Sequence, residues 1–133
     1  LDDALEENNY ELIKSFFDEG CEIELLGVKL RGHDGVQKWL EYIFKYVDSF
    51  RLEPIIIIVE NNIFFEEFIV RAILPDKSEV YTKWAEVLIY RDYKIQSLRL
   101  YFDRLEFAKS AASNFFTRKV LGYIERKTLE GLI

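Results

Sequence analysis

Apolar and polar positions follow two rhythms along this chain, one helical and one alternating, and they are segregated. In residues 2–19, Leu5, Leu12, Ile13, Phe16 and Phe17 fall near one face of a helix with acids opposite, and Gly20 offers a stop. Glu22 to Leu25 and Val28 to Leu30 alternate on either side of Gly27, which predicts a small hairpin or extended loop. Asp34 with Gln37 three residues on resembles a capping box, so a helix is predicted from there. Val36, Trp39, Leu40, Ile43, Phe44 and Val47 give it the clearest apolar stripe in the chain. The rhythm then changes. Ile55 to Val59 is a β-branched run after Pro54, Asn61-Asn62 reads as a turn, and Ile63 to Leu74 is a second strand. Pro75 to Ser78 turns the chain into a third strand, Val80 to Tyr90. Arg91-Asp92-Tyr93 leads to a last strand, Lys94 to Asp103. Connections this short make the four strands an antiparallel meander. Residues 104–130 return to helical spacing through Leu105, Ala108, Ala111, Ala112, Phe115, Phe116, Val120, Tyr123 and Ile124, with Asn114 or Gly122 as candidate interruptions.

Helices before and after a run of strands, rather than alternating with them, define an α+β domain with helices on one face of the sheet. At 133 residues, half of them apolar and 16% aromatic, the chain is one domain able to bury a core. The net charge of -6 argues against a broad nucleic-acid surface or an anionic-membrane surface. The charge is uneven: residues 104–133 hold six Lys/Arg against three Asp/Glu, whereas residues 1–103 hold 12 against 21. A basic tail on an acidic body reads either as a solvated helix face or as a segment docking on the body or a second copy. A single cysteine, Cys21, excludes an intrachain disulfide, and one Cys with one His does not make a metal cluster. No metal and no cofactor are expected. No apolar run has membrane length, and the acidic opening lacks a signal-peptide pattern. The expected location is cytoplasmic. The chain opens on Leu1 rather than Met, so residues are expected to precede it.

Three segments, in this order, carry a family resemblance: Leu30 to Val36 (Leu-Arg-Gly-His-Asp-Gly-Val), Val87 to Ile95 (Val-Leu-Ile-Tyr-Arg-Asp-Tyr-Lys-Ile) and Leu98 to Asp103 (Leu-Arg-Leu-Tyr-Phe-Asp). They resemble the glycine-containing helix entry, the last hairpin and the terminal signature of the nuclear transport factor 2-like (NTF2-like) superfamily. The resemblance is to its SnoaL-like members, the polyketide cyclases, ketosteroid isomerases and limonene-epoxide hydrolases. It covers roughly residues 2–107 and implies a cystatin-like cone, a curved, mostly antiparallel sheet around N-terminal helices. The cone would have a pocket on its concave side. The expected organisation is a SnoaL-like domain over 1–107. A C-terminal helical extension over 108–133 would pack on the body or on a partner subunit. Tyr93 departs from the pattern, which usually has a turn glycine there, and the tail is longer than a minimal member needs.

The resemblance places Asp103 at the signature aspartate, a candidate acid/base whose pKa apolar walls would raise. The bland alternative is a cap on the helix that follows. On the strand, Tyr101 and Arg99 share its parity, about 7 and 13 Å away. Tyr101 is a candidate hydrogen-bond donor to a substrate oxygen. Arg99 is read as an ion-pair partner for Glu86 or Glu67, or as an anion ligand. Matching the epoxide-hydrolase strand puts Glu67 where an arginine is needed and Ile69 where an aspartate is needed, which disfavours that mechanism. Two water-orienting positions fall loosely on Glu22 and Glu24. Glu66 and Glu67 are adjacent, so one points inward and the other outward. Asp103, Tyr101 and Glu67 are therefore the candidate catalytic set, with Glu24, Trp84, Arg99 and Trp39 as candidate ligand contacts. Solvated glutamates, core tryptophans and a structural ion pair are the plainer readings. His33 suits a helix-cap region, Lys83 an exposed strand position and Cys21 a small buried residue.

Three functions fit these residues. One is a small-molecule enzyme of isomerase, cyclase or dehydratase type acting on a largely apolar substrate. Another is a non-catalytic pocket for an apolar ligand. The third is a homodimer-forming module with its pocket filled. A homodimer is expected under each, because the tail stripe is too long and too aromatic to face only water.

Overall fold

A computed structural model describes residues 1–112 and 114–133; Ser113, and the side chains of Ser110 and Ala111, lie outside the described residues. The chain divides into two compact units, Leu1–Phe102 and Asp103–Ile133.

The first unit is an α+β layer pair. Two short helices, α1 (Asp2–Glu6) and α2 (Tyr10–Ser15), precede β1 (Phe17–Leu25), β2 (Val28–Arg31), α3 (Gly32–Tyr46) and the strands β3 (Ser49–Glu60), β4 (Ile63–Ile73), β5 (Glu79–Arg91) and β6 (Lys94–Phe102). The sheet order is β2-β1-β6-β5-β4-β3, and β3 through β6 form the antiparallel meander the turn residues foretell. Two of its turns contain two residues each. Asn61 (φ 54°) sits between paired Glu60 and Ile63, and Asp92 and Tyr93 (φ 51° and 64°) sit between paired Arg91 and Lys94. Tyr93 thus holds the left-handed conformation that a glycine would adopt without a Cβ clash, and its ring is almost fully exposed. The β1–β2 hairpin turns through Leu26 and Gly27, both at positive φ.

Two sequence expectations are corrected. Residues 2–19 are not one helix: Asn8 turns at φ 59°, Asn9 caps α2 by accepting a hydrogen bond from the Leu12 N–H, and Phe17 already belongs to β1. Gly20 lies inside that strand. The helix expected from Asp34 begins at Gly32, with no side-chain cap, and the Gln37 amide instead donates to Glu41 four residues on. Strand β1 joins the meander by pairing parallel to β6, with a bulge between Phe17 and Glu22.

The core lies between α3, α2 and the inner face of the sheet. Ile13, Phe17, Cys21, Ile23, Val36, Leu40, Ile95 and Leu98 are essentially inaccessible. Phe17 meets Trp39 edge-on at 6.2 Å, and Phe44 stacks between Tyr10 and Phe50. β3 is an edge strand, with Pro54 at its bulge, where a missing N–H is tolerated.

The second unit contains α4 (Arg104–Ala111) and α5 (Phe115–Thr128). The helix expected over 104–130 includes Ser113, outside the described residues. Of the two candidate interruptions, Asn114 is the N-cap of α5, accepting from the Thr117 N–H at 2.7 Å, while Gly122 lies within the helix. Lys109 pairs with Glu125 at 2.7 Å between the two helices. Phe115, Phe116 and Tyr123 are exposed.

Candidate active site

The register of β4 and β5 is set by the turn between them. Counting seven residues back from Ile73 and seven forward from its partner Glu79 brings Glu66 directly opposite Glu86. The same row continues to Leu100 on β6 and Ile57 on β3, so two acids sit side by side between two aliphatic chains. Directly paired residues share a face. This face also carries Phe64, Phe68, Trp84 and Leu88, which places both carboxyls on the core side. Glu66 is 2% exposed and Glu86 7% exposed, the two charged residues that join the buried set among the described residues.

Asp2, in the first turn of α1, completes a group of three. One carboxylate oxygen from each of Asp2, Glu66 and Glu86 lies within 4.8 Å of the others, the one such group among the described residues. They line a cleft of about 340 Å³ whose remaining walls include Ile57, Phe64, Leu88 and Tyr90. That volume lies within the range of ligand sites. Among the described residues no lysine or arginine pairs with any of the three carboxylates. Glu66 Oε1 has no hydrogen-bond partner.

Burial without a counter-charge fixes the protonation. Loss of solvent, and then the nearby Asp2, push the Glu66 carboxyl up to about 7. Burial, and then Asp2 and Glu66, push the Glu86 carboxyl up to about 8. Burial also raises Asp2, and raises the Tyr90 phenol with help from Glu86 and Asp2. Two adjacent carboxyls of this kind titrate as a pair, and at neutral pH the pair retains a proton. Such a pair can donate a proton to one atom and accept one from another without a metal or an imidazole.

The residues singled out from sequence lie elsewhere. Glu67 shares a row with Ala85 and Tyr101 on the face opposite the acid pair, and Tyr101 is half-exposed. Arg99 neighbours Glu24 on β1 and Val87 on β5, on that same outer face. Glu86 pairs with Leu100 and so faces away from Arg99. Glu22 forms an ion pair with Arg31 at 3.0 Å in the β1–β2 hairpin. Trp84 is on the inner face, stacked on Phe102 at 4.0 Å and donating to Thr82 Oγ1. Trp39 is 3% exposed and borders a smaller cleft of about 160 Å³ with Leu25, Leu30 and Tyr42. Asp103 begins the second unit, where its Oδ1 accepts from the N–H groups of Leu105 and Glu106 as the N-cap of α4. His33 Nε2 lies 2.9 Å from the Phe17 carbonyl, linking the start of α3 to the β1 bulge, and Cys21 is buried. Sequence reasoning passed over Asp2, and met Glu66 and Glu86 only as an undecided neighbour and an arginine partner. The available signal was the equal distance of the two glutamates from the Pro75–Ser78 turn.

A six-stranded mixed sheet around N-terminal helices, with an acid-bearing cleft on its inner face, is an NTF2-like fold, as the three motif segments imply. Solved structures agree. An NTF2-like protein of unknown function from Burkholderia pseudomallei superposes with a TM-score of 0.76 at 14% identity, covering 84% of this chain and 91% of that one. A protein with a ketosteroid isomerase-like fold from Catenulispora acidiphila, crystallised with trimethylamine, has a TM-score of 0.73 at 12% identity over 83% and 87%. One assigned as a SnoaL-like polyketide cyclase from Shewanella denitrificans has a TM-score of 0.72 at 10% identity over 82% and 89%. No family sequence model matches the chain, and no curated protein matches it. Among the described residues no helix is long and apolar enough to cross a membrane.

Proposed function

We propose that the chain is a small-molecule protein that works through the cleft at Glu66 and Glu86, using the pair for proton transfer of the isomerase or cyclase kind. The observation that carries this is the direct opposition of two buried, uncompensated glutamates in a ligand-sized cleft. A carboxyl with its pKa near neutrality has both protonation states within reach, which is what removal and return of a proton beside a carbonyl requires. The apolar walls would hold a largely apolar substrate, and the small molecule crystallised with a neighbour of the same fold supports a pocket reading. Asp103, with one oxygen committed to a helix cap, is the secondary candidate.

The test is α-proton exchange of a panel of cyclic ketones in D2O, followed by NMR. Exchange is expected with the wild type and Asp103→Asn, and a loss of at least about 100-fold, the usual contribution of a positioned acid or base, is expected in Glu66→Gln and Glu86→Gln. Exchange that survives in both glutamate variants, or is absent throughout, would overturn the acid–base reading and leave ligand binding alone.

A second reading concerns assembly. Ile55 to Val59 on edge strand β3, with Ile63 beside them, are between 44% and 64% exposed, a continuous apolar surface uncommon on a monomer. We propose that this edge builds a homodimer. Light scattering should give twice the chain mass, and Ile58→Glu should halve it; a monomeric wild type would sink the idea.

A further inference from the structure

The acid group is unbalanced in charge. Asp2, Glu66 and Glu86 converge within 4.8 Å, and no lysine, arginine or histidine lines their cleft. Glu66 Oε1 belongs to a residue that is 2% exposed and accepts no hydrogen bond among the described residues, and the one proton the pair retains can donate only once within the three carboxylates. A buried acceptor without a donor is costly, and its natural complement is a ligand that brings one. Resting on the small-molecule reading above, we infer that the ligand is a small organic cation, a protonated amine whose N–H groups point to these three carboxylates.

The shape of the gap and its surroundings choose between cations. Oxygens this far apart can all reach one ammonium at charge-assisted hydrogen-bond distances of about 2.7–2.9 Å. A hydrated divalent ion would also fit the three oxygens, but it needs six or more oxygen ligands, and its waters need polar neighbours. Apart from Asp3 and Tyr90, the remaining walls, Leu1, Pro54, Ile57, Phe64 and Leu88, are apolar and suit the alkyl groups of an amine. Phe64 and Tyr90 in the same lining are the residue types whose rings attract ammonium groups.

Protons and the amine compete for the same oxygens. The groups that bear on this balance are Asp2, Asp3 and Glu6 from α1, Glu66 from β4, and Glu86 and Tyr90 from β5. An arriving cation favours the ionised carboxylates, so binding releases protons and tightens as pH rises from 6 towards 8.

The test is calorimetry with 3,3-dimethylbutylamine, protonated at neutral pH, and with its neutral counterpart 3,3-dimethylbutan-1-ol, in two buffers of different ionisation enthalpy. The amine should bind at least about tenfold more tightly than the alcohol, a difference of about 1.4 kcal/mol, with proton release that depends on buffer. Glu66→Gln and Asp2→Asn, each checked for an unchanged circular-dichroism spectrum, should abolish that preference. Equal affinity for the two probes, or an amine preference that persists in both variants, would overturn the inference. Displacement of the amine by calcium alone, with the same residue dependence, would assign the site to a metal and also overturn it. Failure here with ketone exchange intact would leave the acid–base reading standing, whereas amine binding without ketone exchange would do the reverse.

Discussion

Glu86→Gln is expected to be more stable than the wild type at pH 8.5 and close to it at pH 4. The Glu86 carboxyl titrates near 4.5 when unfolded and at about 8 in the folded protein. Between those values the folded state binds a proton that the unfolded state does not. Stability linked to this group is therefore fully present below about pH 4.5 and is lost as pH rises through 8. The glutamine side chain keeps the shape of the protonated acid and carries no charge to desolvate. With each pKa unit worth 1.36 kcal/mol and part of the effect shared with Glu66, the variant should gain on the order of 3 kcal/mol at pH 8.5. That corresponds to roughly 10 °C in melting temperature. Glu66→Gln should act in the same direction with a smaller gain, because its folded value is about 7. The double variant should gain less than the two separately, since each substitution removes a like charge that had raised the other. Urea melts from pH 4 to 8.5 check all three proteins. Parallel pH profiles for wild type and Glu86→Gln would show that the glutamate is not protonated in the folded state. A stabilising substitution that removes activity is the signature of a strained functional site rather than a core residue.

The meander was legible because its turns announce themselves: Pro75 to Ser78, Asn61-Asn62 and Asp92-Tyr93 each punctuate apolar runs, and each lies at an observed hairpin. The site was not legible from alternation, for a physical reason. Both faces of β4 carry large apolar groups, Phe64 and Phe68 on one and Phe65 and Ile69 on the other, so period-two patterning cannot say which glutamate turns inward. Cross-strand register does say it, because a two-sided apolar strand still has a single pairing with its neighbour. Asp2 was invisible for a different reason. Its approach to the cleft depends on where α1 ends and how it meets the sheet, and the Asn8-Asn9 break that sets this lies inside a helical spacing of apolar residues that runs on past it. At Asp103 the sequence leaves an acid/base and a helix cap both open, and the cap is present: the N–H groups that open α4 lack helical partners, and Oδ1 accepts from two of them.

Phe17→Ala is expected to cost about 3–5 kcal/mol, and Leu12→Ala less than about 1 kcal/mol. The comparison separates the two descriptions of residues 2–19. If they formed one amphipathic helix, Leu12 and Phe17 would lie near the same buried stripe and their truncations would be comparably damaging. In the structure the chain has changed period between them. Leu12 is on α2 and 43% exposed, whereas Phe17 opens β1 and is 2% exposed. The Phe17 ring packs edge-on against Trp39, its backbone pairs with Ile95 on β6, and its carbonyl faces His33 at the start of α3. Removing the ring would leave a cavity bounded by a strand, the bulge and a helix held by further contacts, so collapse around it is restricted and the cavity cost is retained. The loss should also spread to the β1–β6 pairing. Unlike the local hairpins, that parallel pairing is stabilised only by contacts between distant parts of the chain. Urea midpoints measure the difference in stability, and amide exchange at Ile23 and Leu98, paired across β1 and β6, reports its location. Equal losses for the two substitutions would return residues 2–19 to a single helix. A large loss at Phe17 alone would place the start of the sheet where the period changes.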